Sequence, residues 1–441
     1  MSSTETICAL ATPSGNASVG IIRISGPKAL TIAKEITHKS LTLRYAHFSQ
    51  FYDHNDEVID QGIAIYFAAP NSFTGEDVVE LQPHGNPYVC QQIINRLNKL
   101  GARQALAGEF SERAFINGKL DLTQLEAIAD LIASGSQQAA KSAVQSMQGK
   151  FSEQVNDILK QLIQIRTHIE ASLDFAEEDI ETETRESVSA KLTALNLQVT
   201  ELFDLAQKGA QLQKGYTIVL TGSPNVGKSS LFNALCAQDR AIVTNIPGTT
   251  RDVVSIDMEL NGVPIRLLDT AGIREHADQV EQEGIVRAHS AIEMADAIIH
   301  VLDGTELSAE HHLESPTKNE IIVINKSDLL ASDFKADHAA ILISAKTGQG
   351  LENLRNEIGR CLQIQPSDQQ APFSARIRHL DALRRCLEHF EKALQQITCL
   401  SPLELAAEEL RVAQQIVGEI TGEFTPDDLL DYVFREFCIG K

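Results

Sequence analysis

The 441-residue sequence predicts a multidomain protein: an α+β N-terminal domain, an all-α helical domain, and an α/β P-loop domain inserted into the helical one. Three observations predict this. Short β-like runs punctuated by Gly, Pro and Asn occupy the first part of the chain. Long apolar periodicity of the helical kind starts near Leu120 and returns toward the C-terminal end. Between those helical stretches lies a Gly-rich phosphate loop, followed by apolar runs that each end in a polar motif.

Residues 1–118 carry the first pattern. The runs 19–24, 63–67 and 78–81 read as strands, and a strand candidate already falls within the opening dozen residues. Residues 88–100 have the spacing of one amphipathic helix. From Leu120 the period changes. Leu122, Leu125, Ile128, Ala129 and Ile132, then Ile158, Leu162, Ile165 and Ile169, mark one face of helical hairpins. The acidic run 174–186 between them reads as a solvated loop or helix end. Helical periodicity resumes over 375–397 and 403–420. The expected domains are therefore 1–118, a discontinuous helical domain of 119–214 plus 371–441, and an insert of 215–370. Two unrelated helical domains flanking the insert would leave the same pattern.

Composition narrows the class of protein. No apolar stretch reaches the length of a membrane span and no signal peptide is evident, so a soluble cytoplasmic protein is expected. The seven cysteines are scattered without CxxC spacing, which argues against zinc and a disulfide framework and suits a reducing compartment. The formal charge of −22 argues against a broad nucleic-acid-binding surface. If RNA is a substrate, a partner protein must supply much of the grip.

The insert carries the chemistry. Gly222-Ser223-Pro224-Asn225-Val226-Gly227-Lys228-Ser229, continued by Ser230, is a GxxxxGKS loop after an apolar run. Such a turn aims successive backbone N–H groups at a polyphosphate, and the helix that follows adds its positive dipole end. Lys228 would reach the β- and γ-phosphates and Ser229 a Mg²⁺ ion. Asp269-Thr270-Ala271-Gly272 supplies a carboxylate near the metal and a Gly where backbone can meet the γ-phosphate. In Asn325-Lys326-Ser327-Asp328 the Asp328 carboxylate can accept from guanine N1–H and the N2 amine, a pairing adenine does not offer. Ser344-Ala345-Lys346 would complete the base pocket. Motifs at the carboxyl ends of successive strands match a doubly wound sheet, and together they imply a P-loop GTPase domain.

Further blocks are more specific. They are Ala11-Thr12-Pro13, Arg23-Ile24-Ser25-Gly26-Pro27, Asn71-Ser72-Phe73-Thr74-Gly75-Glu76-Asp77, Gly108-Glu109-Phe110, and the run from Arg113 to Leu122. Gly248-Thr249-Thr250-Arg251-Asp252 and the terminal Phe437-Cys438-Ile439-Gly440-Lys441 complete the set. With these the chain resembles, from end to end, the bacterial MnmE (TrmE) family of tRNA modification GTPases. One departure is His84-Gly85-Asn86-Pro87, where the family commonly has a second Gly.

The resemblance implies a folate-binding N-terminal domain that dimerises, and a homodimer that forms a heterotetramer with the flavoprotein MnmG (GidA) and acts on tRNA. It implies addition of an aminomethyl or carboxymethylaminomethyl group to carbon 5 of the wobble uridine, U34. The one-carbon unit would come from 5-formyl- or methylene-tetrahydrofolate. Ile273 stands where Ras-like enzymes carry a water-positioning Gln, and by similarity Glu281 takes that role. In place of an arginine finger, for which Arg251 and Arg274 are nearby candidates, the family uses potassium bound as two G-domains meet. Its oxygens would come from the Asn225 side chain in the phosphate loop and from the backbone of Thr244, Ile246 and Thr249 in a loop that includes Asn245, Pro247 and Gly248, while Thr250 joins Ser229 on Mg²⁺.

For folate the resemblance points to Arg23, Glu80 and Lys119, with Lys441 close by. It places Cys438 near the modification chemistry, although a tail docked for packing is an equal reading. Prenylation of Cys438 is rejected, because Gly440 is not aliphatic and Lys441 is not an accepted last residue. A ribosome-assembly or signalling GTPase without modification activity would share the central motifs but lack the N-terminal blocks and the terminal pentapeptide. A membrane-remodelling GTPase would need an amphipathic membrane patch that the sequence lacks.

Overall fold

Alternating apolar residues in the first 104 positions assemble a six-stranded sheet of β1 (Ile7–Leu10), β2 (Ile22–Ser25), β3 (His47–Tyr52), β4 (Val58–Phe67), β5 (Val78–Gln82) and β6 (Arg103–Gln104). The structure, a computed structural model, describes residues 5–174, 185–238, 254–269, 292–293, 295–306, 319–330, 340–362, 364, 371–423 and 440. The chain divides into two compact units, residues 1–129 with 415–441, and residues 130–414.

In the first unit the strand order is β3-β4-β5-β2-β1-β6, antiparallel throughout except for β1 beside β6. The register sets Ala9 opposite Arg23, Arg23 opposite Glu80, and Glu80 opposite Ile65. Because successive side chains alternate faces, Cys8, Ile24, Val79 and Leu81 turn toward α1 (Ala29–Thr37) and α2 (Pro87–Lys99) and form the core. Ile7 and Ala9 pack on the other face against Phe110 of α3 (Glu109–Ile116) and against Phe73. Arg23 and Glu80 share that second face.

The expected strands are present, with β4 starting earlier than the run 63–67. The sequence reading gave this region one helix, and the structure adds α1 and α3. Both are short, nine and eight residues, and neither has a side-chain cap at its start, so little in the sequence announces them. The departure at His84-Gly85-Asn86-Pro87 has a local cause. Asn86 caps α2 by accepting from the Tyr88 and Val89 N–H groups, and Pro87 takes the first helical position.

Around α3 a buried ionic relay fixes the loop 72–77. Arg113, 5% exposed, donates to Glu76 at 3.0 Å, to Glu109 at 2.9 Å and to the Glu5 carbonyl at 2.9 Å. Ser25 donates to Glu76 at 2.7 Å and lies 2.7 Å from the Thr74 hydroxyl. Burial works to raise the Glu109 carboxyl, and the bonds from Arg103, the Leu106 N–H and Arg113 outweigh it, holding Glu109 below the usual carboxylate range. The start of α4 (Leu122–Ala133) packs Leu122 and Leu125 on Ala114 of α3.

The second unit combines a helical bundle with a second sheet. The bundle holds α5 (Gln137–Met147), α6 (Lys150–Asp174) and α7 (Arg185–Lys214). After α7 come β7 (Tyr216–Thr221), α8 (Lys228–Gln238), β8 (Val254–Leu260), β9 (Val263–Asp269), β10 (Ala297–Asp303), β11 (Glu320–Asn325), β12 (Ala340–Leu342) and α9 (Leu351–Cys361). The bundle resumes with α10 (Ile377–Thr398) and the first part, to Gln414, of α11 (Leu403–Thr421). Phe151 of α6 stacks on Phe373, centroids 4.7 Å apart, and Ser142 of α5 donates to the Ala371 carbonyl. The two chain passages between bundle and sheet meet at one apolar cluster of Leu212, Val263 and Ala371, flanked by Tyr216 and Ile364. A single residue, Gly215, joins α7 to β7. Its φ of 68° and the 2.6 Å that a Cβ would leave to the Pro264 carbonyl oxygen both demand glycine.

The sheet order is β12-β11-β10-β7-β9-β8, parallel except for β8 against β9. This is a doubly wound α/β domain lying in sequence between the helices of the bundle. Strands β8 and β10 are additional to the strands expected from the sequence. No described helix is long and apolar enough to cross a membrane.

Candidate functional site

Parallel strands bring their carboxyl ends to one edge, and the polar motifs gather there. Leu220 of β7 pairs with Asp269 of β9, Asp303 of β10 with Asn325 of β11, and Ile324 with Leu342 of β12. The residues that follow each strand end thus become neighbours although they span more than a hundred positions. This is the crevice in which open α/β sheets take ligands.

The phosphate loop runs from Gly222 into α8. Asn225 has a φ of 64°, a left-handed conformation that Asn tolerates better than most side chains. A Cβ on Gly227 would lie 2.3 Å from the Asn325 side-chain nitrogen, so glycine is required for the loop to close on β11. Lys228, 6% exposed, donates from Nζ to the carbonyls of Gly222 at 2.9 Å and Ser223 at 2.8 Å. Its ammonium is thereby held inside the loop. Val226 is buried, while Asn225, Ser229 and Ser230 are exposed.

Ser229 Oγ donates to Asp269 Oδ2 at 3.1 Å. A hydroxyl and a carboxylate side by side are hard oxygen donors that fit a hard divalent cation such as Mg²⁺. Thr250 and the loop Thr244, Asn245, Ile246, Pro247, Gly248 and Thr249 lie outside the described residues. So do Thr270, Ala271, Gly272, Glu281, Arg251 and Arg274. Of the expected potassium oxygens only Asn225 is described.

The base-reading motifs are tightly cross-braced. Asn325 donates to the Val226 carbonyl at 2.9 Å and accepts from the Ala345 N–H at 3.0 Å, tying the phosphate loop to the segment after β12. Ser344 donates to Asp328 Oδ1 at 2.6 Å and accepts from the Thr347 N–H. That fixes the orientation of the exposed Asp328 carboxylate. Lys326 adopts a φ of 64°, and Lys346 is exposed. Sequence reasoning missed Asp303, which accepts from the Lys326 ammonium. Burial works to raise its carboxyl, and the bonds from Lys326 and Thr305 outweigh that and hold it low. The signal was there to read, since the run 297–302, apolar except for His300, ends in Asp303-Gly304 as the other strands end in their motifs.

The expected folate residues lie in the first unit. Arg23 and Glu80 form one ion pair at 3.0 Å, and the Arg23 guanidinium sits over the rings of Phe73 at 5.0 Å and Phe110 at 5.8 Å. Each side chain of the pair is about one-fifth exposed. The exposed Lys119 stem reaches Gly75, in the loop that carries Phe73. Lys441 and Cys438 are outside the described residues, and Gly440 packs against Leu10 at the end of β1. The ion pair is partly open and aromatic-backed, and it offers both a carboxylate and a guanidinium for hydrogen bonding.

Comparison with known proteins identifies the family of the chain. A family profile described as the MnmE helical domain matches residues 122–438, and one described as the GTP-binding protein TrmE N-terminus matches residues 6–119. The tRNA modification GTPase MnmE of Pseudomonas aeruginosa (strain UCBPP-PA14) is 46% identical over 452 residues, covering 99% of each chain. The protein of that name from Acinetobacter baylyi is 48% identical over 448 residues, 99% of this chain and 96% of its own. The one from Proteus mirabilis is 45% identical over 455 residues, the full length of both.

Proposed function

Since the chain belongs to the MnmE family of tRNA modification GTPases, it is a GTP hydrolase, and we propose that it spends hydrolysis on driving modification of the wobble uridine of tRNA. The observation that carries the hydrolase reading is the edge of the second sheet, where Lys228, the Ser229–Asp269 pair and the Asn325 brace converge with Asp328. GTP would enter with its phosphates on the loop N–H groups. Lys228 then exchanges the Gly222 and Ser223 carbonyls for phosphate oxygens, neutralising charge as it develops. Mg²⁺ held by Ser229 and Thr250 would supply further positive charge at the β- and γ-phosphates. Asp328, steadied by Ser344, reads the guanine edge.

Glu281 orients the attacking water in this proposal, and Asn225, Thr244, Ile246 and Thr249 would hold a potassium ion that, as two G-domains meet, would supply the charge an arginine finger gives elsewhere. The working unit is a homodimer in the cytoplasm that assembles with the flavoprotein MnmG on tRNA. The domains are taken as 1–118, 119–214 with 371–441, and 215–370. The net charge of −22 supports a division of labour in which the partner contributes much of the tRNA contact.

Turnover of GTP in potassium and in sodium buffers of equal ionic strength tests the mechanism. Marked stimulation by potassium is expected, with loss of orders of magnitude in hydrolysis and retained GTP affinity in Glu281→Ala. Equal rates in both buffers would remove the potassium site and redirect attention to Arg251 and Arg274.

The one-carbon donor is assigned to the Arg23–Glu80 surface with Lys119 and Lys441, and Cys438 is the candidate for a role in the modification chemistry. The aromatic backing of Arg23 supports this. Titrating 5-formyltetrahydrofolate into the full chain should release heat that Arg23→Ala largely loses. Equal heats from both proteins would remove Arg23 from the site.

A further inference from the structure

Asp303 belongs to none of the sequence motifs, yet both of its carboxylate oxygens are committed. Oδ2 accepts from Lys326 Nζ at 2.5 Å. Oδ1 accepts from the Thr305 N–H at 2.9 Å and from its hydroxyl at 2.7 Å. The side chain is 5% exposed, and the Gly304 N–H donates to the Asn325 carbonyl at 2.9 Å, so the turn after β10 is fastened to the end of β11. We propose that Asp303 is a positioning residue for guanine recognition and acts through Lys326, an inference that rests on the GTP reading above.

The argument follows from what stands on either side of Lys326. Asn325 before it is locked to the phosphate loop and to Ala345. Asp328 after it is locked to Ser344. Lys326 itself holds a φ of 64°, a conformation a side chain with a Cβ avoids unless its surroundings impose it. Its flexible four-carbon stem would otherwise sample many rotamers. Thr305 prevents the Asp303 carboxylate from turning, and the carboxylate in turn pins the ammonium. The left-handed residue between the phosphate reader and the base reader is thereby held from its tip. Buried and charged, Asp303 makes the stronger kind of hydrogen bond.

Asp303→Asn discriminates this role from simple packing. The amide oxygen can keep the Thr305 bonds, which turns the NH₂ group toward Lys326 and sets donor against donor. GTP and GDP affinity should fall about 10–100-fold, the loss expected for one charge-assisted bond and its replacement by repulsion. Preference for GTP over inosine triphosphate, which lacks the 2-amine, should shrink as well, because Asp328 loses its register. The deciding measurement is a double-mutant cycle on the full chain with a fluorescent guanine nucleotide. In a Lys326→Ala background, Asp303→Asn should cost nothing further. Additive losses, or an unchanged GTP-to-inosine triphosphate ratio in the single variant, would overturn the proposal. Where Asp303→Asn does not fold, Asp303→Glu in the same cycle carries the same two outcomes. Failure of the unmodified protein to bind guanine nucleotide would instead strike the GTP reading itself.

Discussion

Asp328→Asn is expected to lower GTP affinity about 10²–10⁴-fold and to confer binding of xanthosine triphosphate. The carboxylate offers two acceptors to guanine N1–H and the N2 amine. An amide keeps one acceptor and faces the amine with a donor. Two charge-assisted bonds of about 1.5–3 kcal/mol each are at stake, and each 1.4 kcal/mol is a factor of ten. Xanthine carries a carbonyl where guanine carries the amine, so the new N–H finds an acceptor there. The Ser344 hydroxyl, 2.6 Å from Oδ1, can still donate to the amide oxygen, so the side chain should stay in place. Competition binding with both nucleotides checks this. Undiminished GTP affinity would remove Asp328 from base reading.

Lys228→Ala should reduce single-turnover hydrolysis at saturating GTP by about 10²–10³-fold, the scale for removing one preorganised donor to developing charge. The ammonium is enclosed in the loop and bonded to two carbonyls, so it arrives already desolvated and aimed. Lys228→Arg is expected to rescue little, because a planar fork does not fit a cradle shaped for a point charge. Thermal melts of both variants should stay near the parent value, since α8 and its apolar packing remain. Turnover within a few-fold of the parent enzyme would contradict the role assigned to Lys228.

Much of the nucleotide edge was legible because each motif ends an apolar run, and parallel strands must deliver such ends to a common rim. The sequence could also reveal the long helices, where periodicity accumulates over α6 and α7. It concealed what depends on partners remote in the chain. Asp303 became visible only through the β10–β11 register, and β10 itself went unread beside the louder motifs. Arg23 and Glu80, 57 residues apart, are named by resemblance, but their fusion into one ion pair over two rings follows from strand pairing. Helices α1 and α3 went unseen because a short helix without a capping side chain leaves a weak trace.

The neck at Leu212, Val263 and Ala371 bears on the order in which this chain can fold. Bundle contacts such as Ser142 with Ala371 join residues 229 positions apart, an entropic debt that grows with the length of the open loop. Once the intervening sheet has collapsed, its entry at Tyr216 and its exit at Ile364 lie against one cluster. The long loop is then effectively a short one, and the bundle closes at modest entropic cost. Sheet first, bundle second is the sequence of events this connectivity favours.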